Sequence, residues 1–202
     1  MRGVVSAGIC LPVFIAVLLL AFLAPLSGCV SMVIGAGATV GVAAMEERPL
    51  KVHLRDTTIA TEIRYNLVEA SEKFITGVGI EVYEGKALIT GVVENDAMRA
   101  HALKLVWKVE GLKDVYNELQ VGDNGITNFA KDSWVTTQLK SKTTLDQDVL
   151  AINYTIETVN GVVYLIGIAQ SKREIDKVIA HARSLSYVKR VISHVRIKKA
   201  AS

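Results

Sequence analysis

The chain has 202 residues and a formal net charge of +3, a length that allows one large domain or two small ones. Its two cysteines, Cys10 and Cys29, lie near the N-terminus, which excludes an internal disulfide once the segment before Cys29 is removed. The four histidines are scattered without the spacing of metal ligands, so we expect neither a metal site nor a cofactor.

Residues 1–28 have the features of a secretory signal peptide. Arg2 supplies a positive charge, residues 9–26 form an apolar run, and Ser27-Gly28 offers the small side chains that a signal peptidase requires. An uncleaved membrane anchor is the alternative, because about 20 apolar residues can span a bilayer. The absence of a basic cluster after the run favours cleavage.

The sequence LSGC, which ends at Cys29, resembles the bacterial lipobox, whose cysteine receives a diacylglycerol group and becomes the new N-terminus. A core residue, half of a disulfide and a catalytic thiol are the alternatives, but the flanking sequence offers no base for a catalytic thiol. The resemblance implies lipid attachment at Cys29. Val30 stands where an aspartate commonly retains lipoproteins in the inner membrane, which implies an outer-membrane protein facing the periplasm.

An uncharged segment rich in glycine and alanine follows over residues 30–45. Its glycines do not match the spacing of a dinucleotide-binding loop, and no strand precedes them. We therefore predict that residues 29–48 are a lipidated N-terminus and a flexible or membrane-hugging tether.

The rest of the chain contains two repeats that are related by one constant offset in residue number, without any gap. The aligned positions are mostly turn glycines and apolar residues, as a duplicated fold requires. They include Asp56/Asp132, Ile59/Val135, Ile63/Leu139, Glu81/Glu157, Gly85/Gly161, Gly91/Gly167, Lys113/Lys189 and Val115/Val191. We predict two domains, residues 49–124 and 125–202.

Each repeat predicts the element order αββαβ, an α+β fold in which two helices cover a three-stranded sheet. The first helix carries apolar residues at helical spacing and follows Asp56 or Asp132, which are plausible N-caps. A tight turn at Glu84-Gly85 or Asn160-Gly161 joins the first two strands. A second helix follows over residues 95–109 or 171–185. Inward-facing residues are then expected on the closing strands: Val115, Leu119 and Val121, and Val191, Val195 and Ile197.

This pattern resembles the BON domain, a small αββαβ module of bacterial envelope proteins. The resemblance covers roughly residues 54–198 and rests on the glycine-containing hairpins and the closing sequence GLKDVYNELQV. The second repeat departs from it at Tyr187, which stands where the first repeat has Gly111. With the lipobox and the tether, the chain resembles dual-BON outer-membrane lipoproteins of the DolP type. That resemblance implies a non-catalytic protein that binds anionic phospholipid and supports outer-membrane integrity, with links to cell division and outer-membrane protein assembly.

The residues themselves also argue against an enzyme. We find no nucleophile motif and no phosphate-binding loop, and the carboxylate pairs lie in polar segments where they are solvated. A repeat as short as residues 56–121 is near the lower size limit for a domain with its own hydrophobic core. It leaves little room for a buried active site.

Charge is distributed unequally between the repeats. Acidic residues outnumber basic ones eleven to seven over residues 56–121, whereas basic residues outnumber acidic ones eleven to six over residues 132–199. Because each lysine or arginine near an anionic membrane contributes about 1 kcal/mol, the second repeat is the predicted lipid binder. The alternative is that the repeats attract each other and neutralise these charges at their interface.

Trp134, on the first helix of the second repeat, is the strongest single candidate for membrane contact. Its counterpart Thr58 shows that the core needs no aromatic residue there, and tryptophan suits a membrane interface. The predicted phospholipid-binding residues are Trp134, Lys131, Gln138, Lys140, Ser141 and Lys142. The alternative is that Trp134 covers the seam between the repeats or the edge of the core. Trp107 is predicted to pack.

Three classes of function follow from these observations. The first is a lipid-binding adaptor of the outer membrane. The second is a protein-interaction scaffold or chaperone-like factor for outer-membrane protein assembly, in which the basic face meets acidic proteins. The third, nucleic-acid binding, would also use a basic patch but conflicts with export to the periplasm.

Overall fold

The computed structural model describes residues 46–122 and 126–199. The predicted signal peptide, the lipid attachment at Cys29 and most of the tether lie outside these residues. The described residues belong to one compact unit that spans residues 41–202. None of the described helices is both long enough and apolar enough to cross a membrane.

Both repeats have the predicted order αββαβ, with one short additional helix or turn in each. The first repeat contains α1 (Leu50–Ala70), α2 (Lys73–Gly77), β1 (Val78–Tyr83), β2 (Lys86–Val93), α3 (Asp96–Val106) and β3 (Asp114–Val121). The second contains α4 (Ile126–Leu145), a 3₁₀ turn (Ala151–Asn153), β4 (Tyr154–Val159), β5 (Val162–Ala169), α5 (Lys172–Arg183) and β6 (Arg190–Ile197).

The two sheets have the same topology, with strand orders β1-β2-β3 and β4-β5-β6. The first two strands of each sheet form an antiparallel hairpin, and the third pairs in parallel after a helical crossover. Ile59, Ile63 and Leu67 of α1 are buried against one sheet, as Val135 and Leu139 of α4 are against the other. The predicted α+β class and the core faces of both first helices are confirmed.

Asp56 and Asp132 do not cap their helices, and that prediction is wrong. Helices α1 and α4 begin six residues earlier, at Leu50 and Ile126, so each aspartate lies inside a helix and is buried. The Asp56 carboxylate accepts hydrogen bonds from the backbone N–H groups of Glu84 (2.7 Å) and Gly85 (2.8 Å).

The Asp132 carboxylate accepts the equivalent pair from Asn160 (2.6 Å) and Gly161 (2.8 Å). The four turn residues have positive φ angles, between 52° and 79°, as the predicted two-residue hairpin turns require. The aspartates therefore tie each first helix to the hairpin of its own repeat.

The ends of the closing strands also differ from the prediction. Leu119 is buried and Val115, Val191 and Val195 pack against the cores, but Val121 and Ile197 are 44% and 45% exposed. Val121 pairs with Val93 and Ile197 pairs with Ala169, in each case at the last position of the strand pairing. Both exposed residues therefore lie at the end of an edge strand. Trp107 at the end of α3, predicted to pack, is 55% exposed.

The outer faces of the two sheets pack against each other and form a third, shared core. It contains Tyr83, Leu88, Val92, Val159, Val162, Tyr164, Ile166 and Ile168. Each sheet is therefore covered on both faces, by its own helices and by the other repeat, and the two repeats form one folded body.

The two repeats are related by an approximate two-fold axis. The Gln120 side chain accepts a hydrogen bond from Asn160 (3.1 Å). The repeat counterparts of Gln120 and Asn160 are Arg196 and Glu84, and these two residues also contact each other, at 2.6 Å. Glu118 and His194 are each other's counterparts and contact each other at 2.8 Å. A contact between equivalent residues places them on the axis of an isologous interface.

Candidate lipid-binding surface

Five of the six predicted lipid-binding residues lie together on helix α4. At about 100° per residue, Trp134, Gln138 and Ser141 share one face and Lys131 and Lys142 flank it. Trp134 is 44% exposed, and Leu145, 79% exposed, extends the same face by one turn. The face combines an aromatic ring and an aliphatic side chain with polar and cationic neighbours, which is the composition of an interfacial helix.

Lys140 lies elsewhere. Six residues beyond Trp134 correspond to about 1.7 turns, so Lys140 lies on another side of α4. Its positive charge lowers the pKa of Glu157 and Glu81, although burial is the larger effect and raises the pKa of both carboxyl groups. The structure therefore separates Lys140 from the other five predicted residues.

Trp134 contacts a second exposed aromatic residue, Tyr187. Their ring centroids are 6.0 Å apart and the rings are nearly perpendicular, at 83°. The Lys131 ammonium lies 5.3 Å from the centroid of the Tyr187 ring. Ala130 and Ser186 complete a shallow, open depression with these three side chains. Trp134 belongs to none of the three apolar cores, so its contacts do not support the alternative of a seam residue.

The interface between the repeats uses some of the cations of the second repeat. Arg196 pairs with Glu84 across the interface, and Lys198 pairs with Glu47 of the segment that precedes the first repeat. Lys177, Lys172 and Arg173 pair with aspartates of their own repeat. Among the described residues, seven cations of this repeat have no carboxylate at ion-pair distance: Lys131, Lys140, Lys142, Arg183, Lys189, Arg190 and Lys199. The interface therefore neutralises only part of the positive charge.

Comparison with known proteins defines the family. The model of the BON domain matches residues 55–123 and 131–199, one match in each repeat. The chain belongs to the BON-domain family. Both repeats described above are therefore BON domains, and the resemblance noted in the sequence is confirmed.

Three curated relatives share most of the length of the chain. It is 37% identical over 171 residues to outer membrane lipoprotein DolP of Haemophilus influenzae, which covers 83% of this chain and 87% of that protein. It is 35% identical over 145 residues to an uncharacterized protein in the gshII 5′ region of Anaplasma centrale, with 71% and 95% covered. It is 27% identical over 146 residues to osmotically-inducible protein Y of Escherichia coli, with 71% and 73% covered.

Tyr187 is the surface residue that sequence reasoning missed. In the first BON domain its position is held by Gly111 with a φ of 86°, and Tyr187 adopts nearly the same angle, 72°. A bulky residue with positive φ is a rare backbone outlier, and outliers of this kind cost about 1–3 kcal/mol and concentrate at functional sites. The sequence already shows that Tyr187 replaces the glycine of the first repeat, and this replacement could have identified it as an unusual residue.

Proposed function

We propose that this protein is a non-catalytic outer-membrane lipoprotein, anchored through Cys29 and facing the periplasm. Its second BON domain binds anionic phospholipid, and the protein supports the integrity of the outer membrane, including at the division site. The similarity to DolP of Haemophilus influenzae, which is an outer membrane lipoprotein by name, supports the location. The lipobox at Cys29 supports the anchor.

One observation carries the lipid-binding proposal: the exposed pair of Trp134 and Tyr187 with Lys131 beside it. Amphipathic aromatic rings favour the headgroup region of a bilayer, and lysine adds attraction to anionic lipid. A single acyl-type anchor binds membranes only marginally, so a second, protein-borne signal is useful for stable attachment. Lys142 and Lys189, which form no ion pair with any described carboxylate, lie on the same domain and add to that attraction.

Flotation with lipid vesicles tests this proposal. The unit of residues 41–202, which omits the anchor but keeps both BON domains, is mixed with phosphatidylcholine vesicles that contain or lack phosphatidylglycerol. We expect the protein to float only with the anionic vesicles and to be released as salt shortens the Debye length. The two domains are kept together because they share a core, which an isolated domain would expose to water.

The same experiment separates this proposal from a protein-interaction scaffold for outer-membrane protein assembly. A scaffold would direct the unpaired cations toward acidic proteins. It would then remain at the bottom of the gradient with both kinds of vesicle, which would contradict the lipid-binding proposal.

A further inference from the structure

The two-fold relation between the BON domains creates two equivalent clefts at their seam. One of them holds a segment of the chain itself, Glu46, Glu47 and Arg48, which we call the strap. The strap was predicted to be part of the flexible tether, but its contacts fix it against both domains.

Arg48 makes most of the contacts of the strap. Its guanidinium donates to the Asp56 carboxylate at 3.1 Å and to the Val82 carbonyl at 3.3 Å, and it lies 4.4 Å from the centroid of the Tyr83 ring. It also contacts the Nδ1 atom of His53 at 2.6 Å. The buried Asp56 thus has a cationic partner in addition to the two turn amides.

The strap also reaches the second BON domain. The backbone N–H of Glu47 donates to the Asn153 side chain at 2.9 Å, and the Glu47 carboxylate accepts a hydrogen bond from Lys198 at 2.8 Å. The first cleft therefore holds this three-residue segment by a backbone contact on one side and an arginine on the other.

The second cleft, which we call the open cleft, has a volume of about 360 Å³ that none of the described residues fills. Five residues contact the strap through Arg48 or the Glu47 backbone, and the repeat counterpart of each of them lines the open cleft. The pairs are Asp56/Asp132, Val82/Thr158, Tyr83/Val159, His53/Phe129 and Asn153/Gly77.

Asp132 gives this cleft its chemical preference. It is 6% exposed and accepts hydrogen bonds from two turn amides, but no described residue supplies it with a cation. The sequence counterpart of Arg48 is Asn124, and residues 122–128 contain neither lysine nor arginine. Glu157 adds a second carboxylate to the lining. A buried carboxylate is stabilised by a hydrogen-bonded cation, and a guanidinium matches its geometry.

We propose that the open cleft binds an arginine side chain carried by a short exposed segment of a protein partner, as the first cleft binds Arg48. Ser133, Thr136 and Thr137 line the same cleft. The hydroxyl groups of Thr136 and Thr137 already donate to Thr158 and to the Ser133 carbonyl, so they can accept hydrogen bonds from the backbone N–H groups of the partner. A second copy of this chain is not the expected partner, because its strap is already held in its own first cleft.

A labelled peptide tests this proposal. The probe has the sequence of residues 45–50 with Glu46→Gln and Glu47→Gln, and the control peptide carries citrulline in place of the arginine. Binding to the full chain in uncharged detergent is measured by fluorescence anisotropy. We expect the citrulline peptide to bind at least about tenfold more weakly, because it loses the charge-assisted hydrogen bonds to Asp132.

Matched variants locate the binding site. Thr137→Trp fills the open cleft and should reduce the affinity at least about tenfold. Thr61→Trp changes the equivalent position of the first domain and should leave the affinity unchanged. Both threonines are exposed and donate to the carbonyl four residues earlier, so the two substitutions disturb equivalent local structure. If Thr137→Trp does not fold, Ser133→Arg with the control Thr57→Arg replaces this pair.

Three results would overturn the proposal. The first is equal binding of the arginine and citrulline peptides. The second is an equal response of the two tryptophan variants. The third is concentration-dependent dimerisation of the full chain that Thr137→Trp abolishes, because a second copy would then be the occupant.

Discussion

Arg196 of the second BON domain forms a bidentate ion pair with Glu84 of the first, and both nitrogen–oxygen distances are 2.6 Å. The arginine lowers the pKa of Glu84 and the carboxylate raises the pKa of Arg196. At the position related by the two-fold axis, the neutral pair of Gln120 and Asn160 makes the equivalent contact. Of these two equivalent contacts between the domains, one is therefore an ion pair and the other is a hydrogen bond between neutral side chains.

The pair should contribute modestly to stability. In a double-mutant cycle with Arg196→Gln and Glu84→Gln, we expect a coupling energy of about 0.5–1 kcal/mol that decreases with salt, because Arg196 is partly exposed. The cycle is measured by urea unfolding of residues 41–202. The more exposed pair of Lys73 and Glu94 is the control and should show no measurable coupling. Equal coupling in both cycles would contradict this prediction.

Stability should depend on pH through Glu81 at the seam. Burial, and then the neighbouring Glu157, raise the pKa of Glu81 from 4.5 to about 7, whereas the cationic groups of Lys140, Arg64 and Arg48 lower it. Between these two pH values the folded state binds more protons than the unfolded state. The free energy of unfolding therefore falls as the pH rises from about 4.5 to about 7.

Glu81→Gln tests that dependence because the amide has no proton to lose. We expect the variant to be more stable than the parent by about 1–3 kcal/mol at high pH and to lose most of the slope over this interval. Urea unfolding at several pH values measures both quantities. The exposed Glu62→Gln is the control and should keep the slope. A variant that retains the full slope would show that other groups cause it.

Tyr187 should contribute to lipid binding and not to folding. Tyr187→Gly relieves the strain of the φ of 72°, but it also removes the ring contacts with Trp134 and Lys131 and raises the entropy of the unfolded chain. Because these effects oppose each other, the free energy of unfolding should change by no more than about 1 kcal/mol. The loss of the ring should weaken binding to anionic vesicles severalfold. Urea unfolding and vesicle flotation are measured on the same preparation. A loss of stability of about 2 kcal/mol or more, the range of a core defect, with normal flotation would make Tyr187 a structural residue.

The lipid anchor is tested in cells by Cys29→Ala. The thiol is the acceptor of the lipid in the lipobox resemblance, so the variant should incorporate no radiolabelled palmitate and should retain its signal peptide. A Val30→Ala control should be labelled normally. Labelling of the Cys29→Ala protein would show that the lipid is attached elsewhere.

The sequence predicted the architecture of each domain because the relevant signals are local. The constant offset between the repeats identifies two copies, Asn160-Gly161 predicts a hairpin turn, and the spacing of Ile59 and Ile63 predicts the buried face of α1. Within each copy, the turn and the helix are read from a short window of the chain.

Contacts between distant residues could not be predicted in the same way. The carboxylate of Asp56 binds the turn at Gly85, which requires the helix and the hairpin to be placed relative to each other first. One feature of the sequence does indicate that the two domains pack together. Strand β5 is apolar throughout, and a strand without polar alternation is covered on both faces.

The candidate surface was predicted in part. Lys140 was predicted to bind lipid with Trp134 because the two residues are close in the sequence. The periodicity of an α-helix already predicts that they lie on different sides of α4. Tyr187 lies far beyond Trp134 in the chain, after the whole sheet hairpin and α5, and meets it only in the folded domain. Its substitution for glycine was noted in the sequence, but the pattern did not indicate what the ring contacts.

The most direct test of the proposed lipid-binding function compares the only two tryptophans of the chain. Trp134 and Trp107 are 44% and 55% exposed and lie on the basic and the acidic domain, respectively. We predict that Trp134→Ala weakens flotation with anionic vesicles by about fivefold or more and leaves the melting temperature nearly unchanged, whereas Trp107→Ala changes neither quantity. Equal flotation of the two variants, with both folded, would contradict the assignment of the lipid-binding surface to the second BON domain.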